Sequence, residues 1–141
     1  MTKLRSLLGG RAAEEIVFGT VTTGAANDIQ QATGLARNMV ALYGMSDELG
    51  LMAAASVQNQ YLDGSAHMDC SNDTAAIVDN AVKKLLREAY ADAKALLTEN
   101  RALLDEISEH LLLKETITGE ELMAFVNAAK ASEPEEPENA E

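Results

Sequence analysis

Apolar residues recur at three- and four-residue spacing along most of the chain, which is the period of a helix with one buried face. Leu4, Leu7, Leu8, Ala12, Ile16 and Val17 predict a first helix over residues 3–17. Gly9 and Gly10 interrupt its pattern, and their expected use is the close approach of another backbone. Phe18-Gly19 ends it, and residues 19–24 form a loop. Ile29, Ala32, Ala36, Met39, Val40 and Tyr43 predict a second helix over residues 25–43, stopped by Gly44. Ser46 caps a short turn, and residues 51–57 carry the one short strand that the pattern suggests. Residues 58–70 read as a loop.

A third, long helix opens at Ser71, with Asp73 in its first turn, and runs to about residue 98 on Ile77, Val78, Ala81, Val82, Leu85, Ala89, Ala93 and Leu96. Asn100 breaks it, and Leu103, Leu104, Ile107 and Leu111 line the next helix. Thr118 and Glu121 form a capping box before a last helix on Leu122, Phe125, Val126 and Ala129. The fold class is therefore all-α, a bundle-like arrangement over residues 1–130. Residues 131–141, with two prolines and five glutamates, are expected to be a disordered acidic tail.

Composition sharpens this picture. The chain has 141 residues, 47% of them hydrophobic, no Trp and much Ala and Leu, which suits helices and a modest core. Net charge is −12, and the tail holds five of the negative charges. No basic patch exists to bind nucleic acid. One cysteine, Cys70, makes no internal disulfide and points to a reducing compartment. No apolar run approaches the length of a membrane span, and no signal peptide opens the chain.

The candidate chemistry is sparse. Asp28 stands where the loop TTGAAND winds into a helix. On physics alone it is a helix-start charge or cap, with a metal ligand as the alternative. Glu14 and Glu15 read as solvated charges on the first helix. His67, Asp69, Cys70 and Asp73 are close in sequence, but their spacing matches no standard zinc pattern. His110 reads as a residue at the edge of a leucine-rich helix. A phosphate-binding loop, a nucleophile elbow and a His-Glu-x-x-His pair are all missing from these residues.

GGRAAEEIVFG at 9–19, TTGAANDIQQATGLARNMVALYGMSDELG at 22–50 and the run ending KETITGEEL at 122 resemble one family. These segments are similar to the FtsH-type, membrane-anchored, ATP-dependent zinc metalloproteases, over roughly residues 4–127. In such enzymes a His-Glu-x-x-His helix supplies two zinc ligands and a general base. The resemblance implies that Asp28, in the Gly-Ala-x-Asn-Asp segment, is the third zinc ligand. It also makes Glu14 a candidate to support the metal site from behind. The implied parent is a hexameric endopeptidase at the cytoplasmic face of the bacterial inner membrane, degrading misfolded membrane and soluble proteins, with ATP and Mg in its ATPase module. Because the histidine pair, the ATPase module and the membrane spans do not occur here, this chain is expected to be the C-terminal part of such a peptidase. As a fragment it would be soluble, inactive and without bound zinc, and would contain no catalytic residue of its own. The alternative is a helical assembly or adaptor module that does no chemistry.

Overall fold

The computed structural model describes residues 1–57 and 66–132. The expected tail at 131–141 lies almost wholly outside them, as do residues 58–65 of the expected 58–70 loop. Among the described residues are five α-helices, α1 (Thr2–Phe18), α2 (Ala26–Ala41), α3 (Asn72–Glu99), α4 (Arg101–Lys114) and α5 (Gly119–Ser132), with a single 3₁₀ turn at Thr23–Ala25. The class is all-α. Its β structure among the described residues is an antiparallel ribbon of β1 (Ala55–Val57) and β2 (Ala66–Met68) and an isolated bridge between Ser46 and Gly50. The chain forms two compact units, residues 1–96 and 97–141.

In the first unit the core is built from small side chains on three helices. Leu4 and Leu8 of α1, Ala32, Ala36 and Val40 of α2, and Val78, Ala81, Val82 and Ala89 of α3 belong to one buried cluster. Alanine at so many contact positions lets the helix backbones come close, while each buried Leu or Val contributes about 1.5–3 kcal/mol. Residues at the ends of the predicted stripes stand partly or largely in solvent, among them Val17, Ile29, Tyr43, Ile77 and Leu96. Tyr43 lies past the end of α2, where the helical period no longer directs it inward.

The glycines divide differently from the expectation. Among the described residues a Cβ built at Gly9 or Gly10 would meet nothing within 4 Å, so no described backbone approaches either of them. The stripe Leu4, Leu8 and Ala12 holds α1, and the glycine pair sits off it. Close approach occurs instead at Gly44, where φ is 62° and a Cβ would come within 3.0 Å of the Gly50 carbonyl oxygen. There the chain closes the end of α2, with the Tyr43 and Met45 N–H groups donating to the Asn38 and Met39 carbonyls.

Residues 58–70 are not all loop, since β2 occupies 66–68 and pairs Ala55 with Met68, Ser56 with His67 and Val57 with Ala66. A three-residue strand presents too little alternation to be recognised alone. Its pairing depends on β1, which is fixed by the Ala54 N–H donating to the Ala41 carbonyl at the end of α2. Ser71 caps α3 by accepting the Thr74 N–H.

The second unit contains α4 and α5. Glu115 closes α4 in the left-handed region, with its N–H on the Leu111 carbonyl. The Thr118–Glu121 capping box forms in both directions: Thr118 N–H donates to Glu121 Oε2 at 2.9 Å, and Glu121 N–H to Thr118 Oγ1 at 3.2 Å. His110 packs edge-on against Phe125, ring centres 5.1 Å apart.

Candidate functional site

α1 ends at Gly19, whose φ of 66° turns the chain back while its N–H caps the Glu15 carbonyl. The returning strand of loop then meets α1 again at Thr22. Its N–H donates to Glu14 Oε2 at 3.2 Å and its hydroxyl to Glu14 Oε1 at 2.8 Å. Its carbonyl accepts from Arg11 Nη1 at 2.9 Å. The same hydroxyl oxygen accepts the Gly24 N–H and so caps the 3₁₀ turn that leads into α2. The Thr22 hydroxyl first, and its N–H second, hold the Glu14 carboxyl below its ordinary range.

Asp28 follows in the first turn of α2, where the helix dipole favours a negative charge. It is half-buried. Among the described residues no hydrogen bond or ion pair engages its carboxylate. It is therefore not a cap, the commonest use of an aspartate at this position. The end of α1 and the loop that leads to α2 carry exposed apolar side chains, Phe18 at 72% and Val21 at 48% exposure.

Glu14 is not joined to Asp28. Both of its oxygens serve Thr22, so its link to Asp28 runs through the chain at the start of α2. Glu15 faces elsewhere and binds Tyr90 and Lys94 of α3. The sequence pattern alone pointed to neither Arg11 nor Thr22. The available signal was the Thr-x-Gly run before a helix, which is an N-cap pattern, one helical turn's reach from an Arg and a Glu spaced three apart.

Among the described residues no group of three His, Cys, Asp or Glu that could hold a metal ion is found. His67 lies on β2 opposite Ser56. Asp69 accepts the Ser56 hydroxyl. Elsewhere a cleft between the end of α2 and α3 is lined by Val40, Ser46, Asp47, Glu48, Lys84 and Glu88. Glu48 and Lys84 close a salt bridge of 3.2 Å at its edge.

What Asp28 can do follows from its donors. A carboxylate oxygen suits Zn²⁺, and three protein ligands with an open position make a catalytic site. Asp28 could offer one such oxygen from the first turn of α2, and among the described residues no partner competes for it.

Residues 1–125 match the model of peptidase family M41. The chain belongs to peptidase family M41. Its relatives in that family are zinc metalloproteases by name. The chain is 48% identical over 134 residues to the ATP-dependent zinc metalloprotease FtsH of Clostridium perfringens, covering 95% of this chain and 19% of that protein. It is 48% identical over 130 residues to the FtsH of Thermotoga maritima, covering 90% of this chain and 21% of the relative. It is 47% identical over 128 residues to the FtsH of Thermus thermophilus, covering 91% and 20%. The chain thus spans about a fifth of the length of these M41 relatives. No helix among its described residues is long and apolar enough to cross a membrane.

Proposed function

We propose that this M41 chain is part of an ATP-dependent zinc endopeptidase and that Asp28 is one of three protein ligands to its zinc. The observation that carries the reading is the Asp28 carboxylate itself, half-buried at a helix start and engaged by no other group among the described residues. The relatives' names supply the metal and the reaction class. When bound, zinc polarises a scissile carbonyl and activates water near neutral pH. The part of these residues is to hold one carboxylate at a fixed place for it. The remaining two ligands and the general base come from outside the 141 residues, because His-Glu-x-x-His does not occur within them. Taken alone, the 141 residues bind no zinc tightly and cut no peptide bond. In the whole protein, oligomeric ATPase modules deliver unfolded protein chains to the site at the cytoplasmic face of a membrane.

The test is Asp28→Asn in the intact protease. This change keeps the side chain's size and removes its charge. Zinc content after dialysis falls below that of the parent, and casein cleavage falls by at least about 100-fold, beyond the range of an outer hydrogen-bond partner. ATP hydrolysis is the internal control and persists. Full zinc content with undiminished proteolysis would overturn the assignment.

A further inference from the structure

We infer that Thr22, gripped by Arg11 and Glu14 of α1, is a positioning residue that sets where the Asp28 carboxylate stands. The inference rests on Asp28 being a zinc ligand. It goes further in giving Glu14 and Arg11 a role that runs through the chain rather than through the metal.

Three groups of Thr22 are committed at once. The N–H and the hydroxyl both go to Glu14, at 3.2 and 2.8 Å, and the carbonyl takes Arg11 at 2.9 Å. The hydroxyl oxygen also accepts the Gly24 N–H at 3.2 Å. A loop residue tied at its amide, its carbonyl and its side chain can neither slide along α1 nor rotate about it. The bonds to the carboxylate and the guanidinium are charge-assisted and stronger than neutral ones. Only the 3₁₀ turn Thr23–Ala25 and two residues of α2 separate Thr22 from Asp28. Both are hydrogen-bonded structure, so a displacement at Thr22 is carried to Asp28 without a hinge. Space at Gly24 is tight in the same sense: a Cβ there would meet Thr22 Oγ1 at 3.3 Å and Glu14 Oε1 at 3.5 Å. Farther along, Ala32 and Ala36 fix α2 to the core but lie one and two turns beyond Asp28. At the helix start itself the holds are this clamp and Ala25, buried at the end of the 3₁₀ turn.

The experiment uses the intact protease with Thr22→Val, Thr22→Ser, Glu14→Gln and Asp28→Asn. Zinc retention is read by competition with a chelator, amide exchange over residues 20–28 by mass spectrometry, and ATP hydrolysis as a control for assembly. Thr22→Val keeps the shape and loses both hydroxyl bonds. Glu14→Gln leaves the cap on Gly24 intact and keeps one acceptor for the Thr22 N–H, but it loses the charge and the second oxygen that accepts the Thr22 hydroxyl. Both weaken zinc retention about five- to tenfold, at or just below the range for outer partners of a ligand, and both speed exchange at 20–28. Thr22→Ser keeps every bond and retains zinc like the parent. Should Thr22→Val fail to assemble, the contrast between Glu14→Gln and Thr22→Ser carries the same test. Faster exchange with unchanged zinc retention would mark the clamp as structural only and overturn the inference. If Asp28→Asn loses zinc while Thr22→Val and Glu14→Gln keep it, the positioning role fails and the ligand stands. If Asp28→Asn keeps zinc, the ligand assignment fails, and the positioning role falls with it.

Discussion

The Lys94 ammonium of α3 lies 2.8 Å from a carboxylate oxygen of Glu15 on α1. The other Glu15 oxygen accepts the Tyr90 hydroxyl, one turn earlier on α3. Adjacent glutamates on one helix thus have separate duties. Glu14 holds the loop before α2, and Glu15 holds α3. The pair at Glu15 keeps its carboxyl below the ordinary range, Lys94 first and Tyr90 second. Tyr90 is pushed up from 10.0, by burial first and by its bond to Glu15 second.

Two titrations follow from that arrangement. A raised phenol in the folded chain means that its contribution to stability is complete below the unfolded value and is lost as pH rises through the folded one. A lowered Glu15 works in the opposite direction, with its contribution lost as pH falls through the folded value. In Glu15→Gln, Tyr90 should titrate earlier than in the parent yet still above 10.0, because burial remains. Tyrosinate absorbance, with Tyr90→Phe subtracted to remove the other tyrosines, reads this directly. A Tyr90 that titrates identically in parent and Glu15→Gln would show that the bond has no weight in solution.

Among the described residues, Gly44 should be the least replaceable glycine of those with positive φ. Gly19, Gly44 and Gly50 all lie there, but only at Gly44 would a Cβ strike another backbone, the Gly50 oxygen at 3.0 Å. Alanine at Gly50 or Gly19 bears the conformational cost alone, about 1–2 kcal/mol. Gly44→Ala adds the collision and should cost about 2–4 kcal/mol. Urea unfolding of the three variants decides it, and equal losses would mean that the turn at 44–50 yields without strain.

Glu115 gives the opposite sign. It closes α4 at φ 62°, the only non-glycine with positive φ among the described residues. Its bond to the Leu111 carbonyl uses the backbone N–H at 2.8 Å, so the side chain is not needed for the cap. Glu115→Gly relieves a left-handed side chain and should stabilise by about 0.5–1 kcal/mol, net of the extra freedom glycine has when unfolded. Thermal unfolding followed by helical circular dichroism gives the answer. A loss of stability would place the compensation in the Glu115 side chain.

Helices were legible from sequence because each carries its own punctuation. Gly44, Ser71, Asn100 and the Thr118–Glu121 box mark ends by chemistry confined to a few residues, and the apolar period fills in between. The family resemblance and the all-α class were legible for the same reason, since motif and period are local. β2 was not, because its three residues make sense only opposite β1. The partner of Glu14 was not, because Thr22 reaches it only after the chain reverses at Gly19. Gly9 and Gly10 misled in the other direction. A glycine pair in a helix suggests a neighbour, and here the neighbouring space is open. What the sequence leaves out is thus which side chain of one element meets which of another.

Glu48 offers the sharpest pH test. Its carboxyl is held at about 2, against an ordinary 4.5, by the Ser46 hydroxyl first, its own backbone N–H second and Lys84 third. Ser46 Oγ donates to Oε2 at 2.7 Å and Lys84 Nζ to Oε1 at 3.2 Å. Lys84 is raised in turn by Glu48. A carboxyl lowered in the folded state contributes stability that is whole above its unfolded value of 4.5 and fades as pH drops towards 2. Glu48→Gln should therefore flatten the acid limb of the stability curve between those two values and change little below it. Because the pair is exposed, added salt should shrink the difference between parent and variant. Ser46→Ala removes the largest cause while leaving Lys84 in place, and should recover more of the ordinary carboxyl titration than Lys84→Met does. Urea midpoints measured from neutral pH down to about 2 for the three variants settle the order of the causes. If Lys84→Met has the larger effect, the ion pair rather than the hydroxyl governs this turn.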